Sequence, residues 1–117
     1  MKPSQTRTEI PPGTLDMLIL RTLALHRVLH GFEIAEAIRR TSVDVLHVEE
    51  GSLYPALQRM LVKGWLSGEW ARTAENRRAR YYELTPAGRK QLGREMHDYQ
   101  RVAAAIARIL QPAPVRS

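Results

Sequence analysis

The sequence predicts an α+β fold that is mostly α, and three neighbouring stretches between Val48 and Arg94 predict it. The first is a short helix, Ser52 to Lys63, apolar on one side and polar on the other. The second is a pair of alternating aromatic runs, Trp65 to Arg72 and Ala79 to Leu84, which favour strand. The third is the arginine-rich tip that joins them, Arg72 to Arg80. A helix followed by a basic hairpin is the layout of a winged helix-turn-helix. A long last helix with an apolar seam adds a C-terminal dimerisation helix.

A chain of 117 residues is one domain on length alone, large enough to bury a modest core without staples. It has no cysteine, which excludes disulfides, zinc–thiolate sites and cysteine nucleophiles and fits a reducing, cytoplasmic setting. No apolar run approaches the roughly 20 residues that span a bilayer, so no membrane partner is expected. The N-terminus, MKPSQTRTEIPPG, lacks the apolar core of a signal peptide. The net charge of +6 points to a polyanionic partner. Between Arg72 and Arg94 seven cations face two anions, so +5 of that charge sits on the hairpin and the start of the last helix.

Residues 1–12 are polar, end in Pro11-Pro12 and read as a flexible arm. The first helix is expected from Leu15 to Arg27, capped by Thr14, with Asp16 at the positive end of its dipole. Its apolar residues cover more than one stripe of about 100°, so a cover on two sides is expected: its own core, and a second subunit around Met17, Leu18 and Leu25. After His30-Gly31 the second helix is expected from Phe32 to Arg40, with Phe32, Ile34, Ala35 and Ile38 buried. Thr41 to Glu50 is a connection, with Val43, Val45, Leu46 and Val48 available to fold back on the domain.

Gly51 or Ser52 is expected to cap the third helix, Pro55 to fall in its first turn, and Gly64 to end it. At 100° per residue, Leu53, Leu57, Met60 and Leu61 share one face. Ser52, Pro55, Gln58, Arg59 and Val62 share the other, with Lys63 at its edge and Tyr54 flanking the buried side. That division suits a recognition helix: the apolar side fixes it, while amide and guanidinium groups face a major groove. Gln58 and Arg59 are the candidate base readers, and Ser52, Tyr54 and Lys63 the candidate phosphate contacts. In the hairpin, Arg77, Arg78 and Arg80 are placed to reach phosphates or a minor groove, and the aromatics to form hairpin core.

Thr85-Pro86 starts the fourth helix, cap followed by proline, which runs to Leu110. Leu92, Met96, Tyr99, Ala103, Ile106 and Leu110 repeat at heptad spacing along it, the pattern of a helix–helix seam. With Leu18 they form the candidate dimer interface. The chain thus divides into a flexible arm (1–12), a winged helix-turn-helix DNA-binding domain (13–85), a C-terminal dimerisation helix (86–111) and a disordered tail (112–117).

GTLDMLILRTLALHRVLHGFEIAEAI, VEEGSLYPALQRMLVKGWL and RRARYYELTPAGRKQL together resemble the PadR family of transcriptional regulators, over about Gly13 to Leu110. The single C-terminal helix resembles the family's short subgroup. The resemblance implies a dimeric repressor on an inverted-repeat operator in double-stranded DNA, with a small-molecule effector left open and unidentified. The family often carries a tryptophan midway along its last helix, which stacks on flat aromatic effectors in the drug-binding members. Tyr99 stands there in this chain. That departure bears on aromatic-ligand sensing and not on DNA binding.

No enzyme and no cofactor is expected. His26 and His30 share an i, i+4 spacing but lack further ligands nearby, and a metal site needs three or four that converge. No glycine-rich phosphate loop precedes a helix, and no Ser, His and Asp grouping has a recognisable context. Two other readings stay open from residues alone: a winged-helix module that binds RNA, and one that binds a protein partner.

Overall fold

The computed structural model describes residues 9–113. Most of the expected arm and tail therefore lies outside the described residues. The elements run α1 (Leu15–His26), β1 (Val28–His30), α2 (Gly31–Thr41), α3 (Glu50–Val62), β2 (Leu66–Arg72), β3 (Arg78–Leu84) and α4 (Pro86–Leu110). The three strands form one antiparallel sheet in the order β1-β3-β2. This is the α+β, mostly α winged-helix architecture that the sequence predicts.

β1 is an addition. Its three residues are too short to show alternation, yet Leu29 pairs with Tyr82 and His30 with Tyr81 on the outer edge of β3. The chain swings out of α1 into this strand at Arg27, a non-glycine residue with φ of 74°. The expected helix therefore stops one residue early, at His26. Thr14 takes the N-cap position of α1 without capping; its hydroxyl donates to the Pro11 carbonyl at 2.7 Å instead.

At the start of α2 a histidine takes the role usually left to serine or threonine. His30 Nδ1 accepts from the Glu33 amide, and the Glu33 carboxylate accepts from the His30 amide at 3.1 Å. The two bonds form a reciprocal capping box. Because α2 starts at Gly31, Phe32 is turned outward and is 64% exposed rather than buried. Ile34 and Ile38 are buried as expected, and Ala37 joins them. Beyond α2, Leu46 and Val48 pack on the core, whereas Val43 and Val45 stay exposed.

α3 begins two residues earlier than expected. Its N-cap is Glu49, without a side-chain cap bond, so neither Gly51 nor Ser52 caps it. Pro55 consequently stands in the second turn, where its missing N–H leaves the Gly51 carbonyl without a helical partner. The other end is as expected. Gly64 has φ of +79°, its amide donates to Leu61, and the Trp65 amide donates to Met60, the bond pair of a Schellman stop.

The core lies where α1, α2 and α3 meet the sheet. Ile19, Leu20, Leu23, Ile34, Leu53, Leu57 and Met60 are fully buried, each contributing about 1.5–3 kcal/mol of transfer free energy. Thr85 caps α4 through the Gly88 amide at 3.0 Å, with Pro86 in the first turn. The Thr85 hydroxyl also donates to the Gly64 carbonyl at 2.6 Å, and its amide donates to the Trp65 carbonyl. A methyl group on Gly88 would run into that same Trp65 carbonyl, so only glycine lets α4 sit this close. Leu92 is buried and Met96 packs on the core. The later turns of α4 leave the domain.

Candidate nucleic-acid interface

The pleat of the hairpin sorts its side chains. Directly opposed residues share a face, and β2–β3 pairing sets Leu66 against Leu84, Gly68 against Tyr82, Trp70 against Arg80 and Arg72 against Arg78. Leu66 and Tyr82 on this face are buried against the domain. Trp70, Arg72, Arg78 and Arg80 continue the same face outward along the wing. Trp70 is only half covered, so it is not hairpin core. Arg78 lies over its ring with Cζ 4.4 Å from the centroid, and Arg80 with Cζ at 5.7 Å. At the tip, Asn76 adopts φ of 64° and Arg72 donates to its carbonyl at 3.0 Å, which closes the turn and presents Arg77.

The charge on this face is not neutralised. Among the described residues Arg72, Arg77, Arg78 and Arg80 have no carboxylate partner. Arg39, by contrast, pairs with both Glu36 and Asp44, and Arg59 pairs with Asp16. The Arg39 guanidinium holds the Glu36 carboxyl below its ordinary pKa, chiefly through their hydrogen bond. Arg39 and Arg59 are thus neutralised within the domain, whereas the wing arginines are left for a partner.

The expected site residues fall into two groups. Tyr54 and Gln58 of α3 line one concavity with Arg77, Arg78, Arg80 and Trp70, about 460 Å³ in volume. Tyr54 lies across the start of α2, where a Cβ on Gly31 would come within 2.7 Å of its hydroxyl. Burial, and then the charge of Glu50, push its phenol pKa up, so it remains a protonated donor at neutral pH. Ser52, Pro55 and Arg59 lie on the opposite flank of α3. They line a larger concavity, about 680 Å³, with Asp16, Glu95, Asp98 and Tyr99. There the Arg59 guanidinium is held by Asp16 at 2.7 Å. Lys63 belongs to neither group; its ammonium sits 4.7 Å above the Trp65 ring at the end of the helix.

One flank of α3 is therefore cationic and aromatic, and the other is lined by three carboxylates and one arginine. A polyanion is attracted to the first and repelled by the second. Among the described residues no group of three or more His, Asp or Glu side chains could hold a metal ion, and no helix is long and apolar enough to cross a membrane.

Comparison with known proteins gives the family and the fold. The model of the transcriptional regulator PadR-like family matches residues 19–94. The chain belongs to the PadR-like family of transcriptional regulators. Its fold is similar to that of a transcriptional regulator from Clostridium thermocellum, at 24% identity and a TM-score of 0.76 over 85% of this chain and 95% of that one. A PadR family regulator from Clostridium difficile is 26% identical, with a TM-score of 0.71 over 85% and 100% of the two chains. A PadR-like transcription factor from Bacteroides fragilis is 27% identical, with a TM-score of 0.67 over 83% and 90%. PadR proteins are DNA-binding transcriptional regulators and not enzymes.

Against that assignment, sequence reasoning missed Trp70, Phe32 and Asp16 as parts of the two surfaces. The register of the hairpin would have found Trp70, because it opposes Arg80. Asp16 carries no local signal, since its partner Arg59 is 43 residues away.

Proposed function

We propose that this PadR-family regulator is a sequence-specific repressor that binds an inverted-repeat operator in double-stranded DNA as a homodimer, and that a small-molecule effector can release it. The observation that carries the reading is the set of unpaired wing arginines beside the exposed Tyr54–Gln58 flank of α3. In this reading residues 13–85 are the DNA-binding unit. Gln58 reads base edges, Tyr54 and the wing arginines hold phosphates, and Arg59 ties α3 to α1 instead of reading. Ser52, Pro55 and Lys63 border the interface.

The dimer rests on α4. Leu92 is already buried in its own chain, and Leu18 and Met96 pack on the core, so these three offer a partner little. Further along, Tyr99, Val102 and Ile106 are about half exposed and Ile109 and Leu110 more so, with Ala103 between them. Burying such side chains is worth about 1.5–3 kcal/mol each, which favours residues 86–111 as a dimer arm. The concavity between α1, α3 and α4, with Tyr99 on its wall, has the size of a small-molecule pocket.

Selection of bound duplexes from a random library tests the reading. Palindromic winners with half-sites about 34 Å apart support it. Winners without sequence preference, or tighter binding to RNA helices, whose major groove is too narrow for α3, overturn it.

A further inference from the structure

Glycine in the middle of a strand weakens it and marks a close approach. Gly68 is such a residue, and its backbone has no positive φ to require glycine. The reason is room. A Cβ there would stand 2.7 Å from Arg80 Nε and 3.2 Å from Leu61 Cδ2. The Arg80 side chain runs through the space that any other residue at 68 would fill, between β2 and α3. Trp70 faces its guanidinium farther out. Arg80 Nε is shielded from solvent and has no acceptor.

From this geometry we propose that Arg80 is a pre-positioned seat for one backbone phosphodiester, fixed by Gly68, Leu61 and Trp70. The proposal rests on the DNA-binding reading and goes beyond it in giving Arg80 a role that Arg77 and Arg78 do not share. Those two are exposed; they supply charge and can follow the duplex. Arg80 lies partway along the wing, with its side chain between β2 and α3, on the flank that carries Tyr54 and Gln58. With Nε shielded, its two terminal nitrogens form the planar fork that matches two phosphate oxygens. Holding the side chain in advance lowers the entropy lost on binding. An unpaired buried N–H is costly to keep, and the seat is what that cost secures.

The test uses the full-length protein and the duplex recovered by the selection above, remade with a neutral methylphosphonate at each phosphate in turn. Wild type should lose about tenfold or more at one position per half-site, the scale of a lost charge-assisted bond. In Arg80→Ala that position should become silent while the others keep their effect. Gly68→Ala retains the charge and should silence the same position. Arg80→Lys retains the charge but not the planar fork, and should lose most of the effect at that position. Arg77→Ala should leave the position as in wild type. If Gly68→Ala and Arg80→Lys both keep the wild-type pattern, Arg80 is a free cation and the proposal falls. If Gly68→Ala does not fold, as judged by circular dichroism, Arg80→Lys decides alone. Failure of wild type to select any duplex would sink the DNA reading instead, which is a separate result.

Discussion

Arg59 of α3 reaches Asp16 in the first turn of α1, Nη2 to Oδ1 at 2.7 Å. The pair joins the proposed reading helix to the first helix of the domain, and it turns the one arginine of α3 away from the wing. If the pair persists on DNA, Arg59→Ala should leave base preference unchanged at every operator position. It should cost stability by no more than about 1 kcal/mol, as expected for a partly exposed ion pair. Gln58→Ala should cost about 1–3 kcal/mol of binding and relax one position. Titrations against single-base operator variants separate the two, and relaxation by Arg59→Ala would return Arg59 to the role of reader.

The wing arginines should act through charge. Replacing Arg77 and Arg78 together with alanine should weaken binding to all sequences alike. It should also flatten the log–log salt dependence by about 0.9 for each phosphate that is no longer neutralised. Equal slopes for mutant and wild type would remove the wing from the interface.

Urea denaturation should rank the N-cap residues of α1 and α2 by the bonds they make. His30 makes both bonds of its capping box, so His30→Ala should destabilise by about 0.5–2 kcal/mol. Thr14 makes no cap bond, and Thr14→Ala should fall well below that. The reverse order would contradict the geometry at both sites.

α4 should separate into a folding half and an assembly half. Leu92→Ala removes a buried side chain and should cost about 2–5 kcal/mol of stability. Tyr99→Glu with Ile106→Glu touches exposed positions and should leave the domain folded but monomeric by sedimentation, with tight binding to the full operator lost. A double mutant that still sediments as a dimer would rule out this arm as the interface.

The winged-helix layout was legible because the four helices and the two hairpin strands carry their own periodicity, which the three residues of β1 are too few to do. α4 is found at Pro86–Leu110, as Thr85-Pro86 and the heptad spacing predict, and Gly64 ends α3 where expected. Errors arose where a local rule met a tertiary one. Phe32 has the right spacing for the core, but the start of α2 at Gly31 and the Tyr54 ring against it leave Phe32 outside. Ser52 has the right chemistry for a cap, yet the helix begins before it. Part of the candidate site was legible in the same way: the wing arginines announce themselves by density. The split of α3 into two electrostatic flanks does not, because it is made by Asp16, Glu95 and Asp98 on other helices.

The stitch between Thr85 and Gly64 has a mechanical consequence. It hinges nothing; with Gly88 pressed on the Trp65 carbonyl, it makes α4 a crank welded to the end of α3. At about 1.5 Å per residue the crank is about 37 Å long, and a turn of about 5° at its root swings the far end by about 3 Å. The gearing also runs backwards. In the proposed dimer, a molecule that wedged the far ends apart by the width of a bond or two would rotate each α3 without touching it.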